Sequence, residues 1–236
     1  MAQLELSAMG QMVRRHDPDR FFTALFAPVA RREALLTLYA FNHELARARE
    51  VTREPVAALI RLQWWREVVE GARRRHEVAG PLGKALDAGQ LDPADLLGMI
   101  DAREAEAGEI ETLADAVAYV QGSAGGVMVA AARALGMEAA EALRPWGAAY
   151  GVVGVLRNAP VLAAQDRGFL GPAVTEEQAA QELVRLARTW LATAVRVPRR
   201  ARAAMLPAVL ARRRLGRDPA GFGLGDRLAV VWSALR

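Results

Sequence analysis

The chain has no cysteine among its 236 residues. That absence rules out disulfide staples, thiolate nucleophiles and zinc sites built on sulfur, and it fits a reducing compartment. Lysine is nearly missing too. Lys84 is the single one, so arginine carries almost all the positive charge, with a formal net charge of +4 and an isoelectric point near 10.2. Arginine stays protonated and holds phosphate in a planar fork, so an anionic partner is chemically reasonable. A uniform bias toward arginine and alanine is read more simply as the base composition of the genome. Aromatic residues make up only 6% of the chain. There are no alternating β-branched runs closed by hairpin turns and no phosphate-binding glycine loop of the Walker or Rossmann type. The longest uncharged stretch, Ala116 to Ala132, stops short of a bilayer span. The opening residues, MAQLELSAMGQMVRRHDPDR, put acidic and polar side chains ahead of any apolar run, so no signal peptide is expected. These features point to a cytoplasmic protein and leave a peripheral contact with a membrane surface open. Arginine clusters occur at Arg73–Arg75 and Arg212–Arg214, but the excess is spread along the chain, which gives no support to nucleic-acid binding.

What the sequence does have is helical rhythm. Apolar residues recur with a 3.6-residue period in almost every segment, which predicts an all-α protein. The length suits one domain over residues 1–236 with a sizeable core. Asp17-Pro18, Asp92-Pro93 and the capping-box run from Thr175 to Gln178 read as helix starts. Pro55, Gly89, Gly108, Gly171-Pro172 and Pro198 read as stops. The resulting map places helices near 3–15, 18–26, 29–54, 56–75, 82–88, 93–107, 111–135, 138–164, 176–195, 199–215 and 225–235. The three histidines, His16, His43 and His76, are scattered along this map and read as structural, with no metal triad or Ser-His-Asp spacing among them.

Three segments carry more than helix propensity. YAFNHELARARE follows LFAPVARREALLTL and precedes EPVAALIRLQWWREVV. YVQGSAGGVMVAAARALG centres on glycines, and WGAAYGVVGVLRNAPVLAAQDRGFLGP is an apolar helix with a polar end. In this order, from Asp17 to Pro172, they resemble the conserved blocks of the squalene/phytoene synthase family. The resemblance implies the all-α class I isoprenoid synthase fold, a helical bundle around a central cavity. Enzymes of that family ionise a prenyl diphosphate on magnesium ions held by aspartate-rich clusters on two facing helices. Magnesium takes oxygen ligands, and carboxylates spaced i, i+4 point to one spot. Here the first cluster maps to Ala46, Arg47 and Glu50, and the second to Asn158 and Leu162. Both are eroded, so neither magnesium nor any other cofactor is expected; magnesium would be needed only if prenyl transfer persists.

The family pattern implies a ligand or diphosphate site drawn from Tyr39, His43, Arg47 and Glu50 of the first block and from Arg157, Asn158 and Arg167 of the last. Gly122 and Gly125 would bend the helix that lines the cavity; taken alone they would read as close helix packing through small residues, and beside the other blocks they read as a retained cavity wall. Arg61, Gln63 and Trp64 lie in the RLQWWR run. Adjacent tryptophans on a helix point about 100° apart, so Trp64 and Trp65 face different surroundings. The run reads either as an aromatic-walled clamp for a phosphate or lipid headgroup, flanked by Arg61 and Arg66, or as core packing with surface cations. Within the family, the blocks RLQWWREVV and LLGMIDAREAE and the eroded aspartates resemble a divergent branch that includes a respiratory complex I assembly factor. The expectation is a non-catalytic or diverged member that binds an isoprenoid, another lipid or a protein partner. The alternatives are an active head-to-head prenyl transferase and a helical interaction module with a filled cavity.

Overall fold

Side-chain caps and prolines set several of the helix starts. A computed structural model describes residues 6–50, 54–107, 110–163, 176–215 and 223–235. Ser7 accepts the N–H of Gly10 at 3.0 Å and opens α1 (Ala8–His16). Asp17 accepts the N–H of Arg20 at 2.9 Å, and Pro18 begins α2 (Pro18–Ala24). The family-like segment forms α3 (Val29–Glu50), followed by α4 (Pro55–Val69), α5 (Ala79–Asp87) and α6 (Pro93–Ala107). A Thr112/Asp115 capping box starts α7 (Leu113–Val120). A π-helical segment, Gln121–Gly125, joins α7 to α8 (Gly126–Ala134). After these come α9 (Arg144–Ala163), α10 (Glu176–Ala192), α11 (Arg202–Arg214) and α12 (Leu224–Leu235). No strand occurs among the described residues.

The predicted helices are present, and their ends differ where local geometry overrides rhythm. The helix predicted over 56–75 stops at Val69, because Gly71 takes a φ of 114°, a left-handed value glycine adopts without strain. Arg73–Arg75 therefore lie beyond it. The single helix predicted over 111–135 is broken by the π segment. The one predicted over 138–164 begins with a short 3-10 turn, Ala140–Leu143, and passes through Pro160. The predicted starts at Thr175 and the stop at Gly171-Pro172 lie outside the described residues.

Two helices occupy the centre. α3 buries Leu35, Leu38, Tyr39, Phe41 and Leu45, and α8 buries nearly its whole circumference. Burial of each large apolar side chain contributes about 1.5–3 kcal/mol. α8 packs on α3, α6, α9 and α11. The π segment lies against α9 through glycines. A Cβ on Gly147 would come within 2.7 Å of the Ala124 carbonyl, and one on Gly125 within 2.9 Å of the Arg144 carbonyl. A π turn leaves carbonyls poorly served. Ser123 donates to the Tyr119 carbonyl at 2.6 Å, and Arg144 donates to that of Gln121 at 3.1 Å, which restores the balance. None of the described helices is long and apolar enough to cross a membrane.

Candidate functional site

The two helices carrying the family positions are α3 and α9. Among the described residues they are not close packing neighbours. Arg20 of α2 links them. Its guanidinium lies 5.6 Å from the Tyr39 ring centre and 4.9 Å from that of Tyr150, and Nη1 donates to Asp17 Oδ2 at 2.9 Å. Burial pushes both phenols above their ordinary pKa, so both stay protonated. The Tyr150 hydroxyl donates to Asp19 Oδ2 at 3.1 Å, and the buried Arg214 grips Asp19 and, at 3.1 Å, Asp226. A polar core thus ties α2, α9, α11 and α12 together beneath α3.

Further along α3, His43 is half-buried and stacks on His16 from the end of α1, with ring centres 4.2 Å apart and planes 15° apart. Arg47 turns back along its own helix and donates to Glu44 at 3.2 Å. Ala46 is half-buried, and the side chain of Glu50 lies outside the described residues. On α9, Arg157 and Asn158 are exposed; Leu162 is in the helix, with a side chain outside the described residues. Arg167 also lies outside them. Magnesium needs several oxygen ligands around one point. Among the described residues no three His, Asp or Glu side chains gather in this way, and Ala46, Arg47 and Asn158 supply no carboxylate.

A second constellation lies where α3 meets α4. Glu44, Arg61, Trp64, Trp65 and His76 line a groove of about 190 Å³. The short stop at Gly71 folds the chain back and brings His76 to the tryptophans, 5.5 Å from Trp64 and 5.2 Å from Trp65 between ring centres. Phe41 backs Trp65 edge-on at 5.4 Å.

The expected site residues therefore separate. Tyr39 belongs to the core, 2% exposed under Arg20, and offers no open ligand surface. Arg61 and Trp64 share the groove, whereas Gln63 is exposed outside its lining. Arg66 is no headgroup clamp, because both Asp101 and Glu104 of α6 hold it at 2.7 Å. Arg47 is turned to Glu44, and Arg157 is exposed on α9, which is not a close packing neighbour of α3. Gly122 and Gly125 sit in the π segment in close contact: a Cβ on Gly122 would meet that of Ala102 at 2.7 Å. Sequence reasoning missed Arg20, Tyr150 and His76. The one available signal was Glu44, a carboxylate between the buried Asn42 and Leu45 in an apolar helix.

The helix order and the central α3 and α8 define a helical isoprenoid synthase fold. The chain superposes on a dehydrosqualene synthase, solved in complex with ligand, with a TM-score of 0.74 over 96% of this chain and 94% of that one. At 14% identity this is a likeness of fold. The squalene/phytoene synthase family profile matches residues 13–179, and the chain belongs to that family. It is also similar to NADH dehydrogenase (ubiquinone) complex I, assembly factor 6: 27% identical to the Rattus norvegicus protein and 26% to the Homo sapiens one, over 169 residues and 68% of this chain. The matched region is 51% of each relative, so the chain spans about half the length of the curated relatives it matches.

Proposed function

We propose that the protein is a non-catalytic or catalytically diverged member of the family that binds an isoprenoid or related lipid and aids the assembly of a larger complex. The observation that carries this reading is the side-chain set at the family's metal positions. Ala46 and Asn158 carry no charge, and Arg47 is a cation paired with Glu44 at 3.2 Å. Ionising an allylic diphosphate requires positive charge gathered on the leaving group, which the family obtains from metal ions on carboxylates. With Glu50 as the one carboxylate among the five mapped positions, the set does not fit magnesium. Arginines can still hold a diphosphate. Similarity to complex I assembly factors supports the assembly role, and the family membership supports an isoprenoid ligand.

The test is incubation of the purified protein with farnesyl or geranylgeranyl diphosphate and magnesium, with pyrophosphate and hydrocarbon analysed together. The expected result is no pyrophosphate above the protein-free rate and no thirty- or forty-carbon product. Steady release with product formation would establish the rival reading, an active prenyl transferase. For the assembly role, deleting the gene should reduce assembled NADH dehydrogenase on native gels. Unchanged levels would remove that part of the proposal.

A further inference from the structure

The groove between α3 and α4 combines features that a packing cluster does not need. The Glu44 side chain is 8% exposed, and a carboxylate so buried is costly unless its oxygens are served. Oε1 takes Arg47. Oε2 faces Nε2 of His76 at 4.0 Å, beyond hydrogen-bond reach. The N–H of Val78 donates to His76 Nδ1 at 3.1 Å, which leaves the proton of the neutral ring on Nε2. An acceptor and a donor therefore face each other across a gap with no hydrogen bond joining them. Trp64 and Trp65 stand edge to face at 4.8 Å and 88°, with His76 set against both. At the mouth, Arg61 is exposed and has no ion-pair partner among the described residues.

A carboxylate among aromatic rings selects a cation, and a free guanidinium selects an anion. A lone anion would meet Glu44, and a lone cation would meet Arg61. A ligand bearing both charges a short distance apart satisfies both groups. The volume of about 190 Å³ suits a headgroup, not a prenyl chain. We propose that this groove binds a compact zwitterion, a primary ammonium linked to a phosphate ester, with the ammonium at Glu44 and the rings and the phosphate at Arg61. The unserved Glu44 oxygen favours an ammonium that can donate hydrogen bonds. Phosphoethanolamine has this chemistry, either free or as the headgroup of a phospholipid. The preceding turns of α4 favour the lipid: Val56 is 66% exposed and Ile60 65%, beside the groove. Apolar side chains flanking a headgroup site suit a bilayer surface. None of the family's metal positions lines the groove, although Arg47 donates to Glu44 from beside it, and binding of phosphoethanolamine is read apart from any binding of a prenyl diphosphate.

Tryptophan fluorescence of the full chain, titrated with phosphoethanolamine, reads the groove directly, with ethanolamine and inorganic phosphate as single-charge controls. Saturable binding is expected for phosphoethanolamine, weakened about tenfold for either control and for Arg61→Glu, the effect of one charged hydrogen bond. Arg61 is exposed, so its variant keeps the fold, which thermal melting verifies; Glu44→Gln should lose a similar amount. Flotation with vesicles separates the sources. Retention on phosphatidylethanolamine vesicles over phosphatidylglycerol ones, reduced by Ile60→Ser, assigns the lipid, and soluble binding without retention assigns the free zwitterion. No saturable response, a response unaffected by Arg61→Glu, or equal retention on phosphatidylglycerol would overturn the proposal.

Discussion

Arg214 and Arg61 are the same residue type, each on a helix that carries further arginines, yet their surroundings are opposite. Arg214 is buried and forks between Asp19 and Asp226, 3.1 Å from each through Nη2, while Asp19 also accepts from Tyr150. Arg61 is exposed at a groove mouth, without an ion-pair partner among the described residues. The excess of arginine in this chain thus divides into groups that hold helices together and groups that remain available to a ligand. Composition alone cannot make that division. What decides it is whether the fold has already filled the five donors of each guanidinium.

Removing the buried side of this comparison should have the largest effect. Arg214→Ala leaves Asp19 buried with the Tyr150 hydroxyl as its remaining donor and leaves Asp226 of α12 to Arg213. Breaking a buried pair by removing one partner costs about 3–5 kcal/mol. Urea unfolding of the variant should show a loss of that order, with Arg214→Lys recovering little because an ammonium cannot fork between two carboxylates. A loss below about 1 kcal/mol, the range of surface pairs, would mean the polar core is solvated.

Acid should open the same region by a smaller step. Burial pushes the Asp226 carboxyl up, but the hydrogen bonds from Arg213 and Arg214 outweigh it, and the group ends below its ordinary range. A depressed folded pKa means the contribution is complete above the unfolded carboxylate value, near 3.9, and is lost as pH falls through the folded one. Amide exchange in α12 should therefore accelerate below about pH 4 while α3 and α8 remain protected. In Asp226→Asn, exchange in α12 should be fast throughout and no longer follow this titration. Simultaneous exposure of all three helices would show that α12 does not open on its own.

Much of the architecture was legible before the structure, because helix starts are local chemistry. Asp17-Pro18 and Asp92-Pro93 each mark a start that the fold uses, Pro55, read as a stop, also opens α4, and the glycines near 122–126 mark a real interruption. The π form of that interruption was not legible, since it depends on Arg144 reaching back to the Gln121 carbonyl from α9. The end of α4 was read too far, because Arg73–Arg75 fit a helix as well as a loop and the decisive fact is the conformation of Gly71. For the site, Arg61 and Trp64 were visible as a pair. His76 was not, because only the turn after α4 brings it beside them. The polar core was beyond reach for the same reason: nothing in the neighbourhood of Arg214 announces Asp19, 195 positions away.

The smallest effect is expected on α4 itself, where the comparison can be made within one helix. Arg66 follows Arg61 by little more than a turn but faces α6, where Asp101 and Glu104 each accept from it at 2.7 Å. Its side chain is 22% exposed and that of Asp101 62%, so water screens much of the attraction. Arg66→Ala should cost about 1 kcal/mol or less and leave phosphoethanolamine binding unchanged, whereas Arg61→Glu should leave stability unchanged and weaken binding. Thermal melts and fluorescence titrations of the two variants, run side by side, read both quantities. If Arg66→Ala weakened binding as much as Arg61→Glu, ligand contact would extend along the helix, and the division between structural and available arginines would fail at the place where it is drawn most finely.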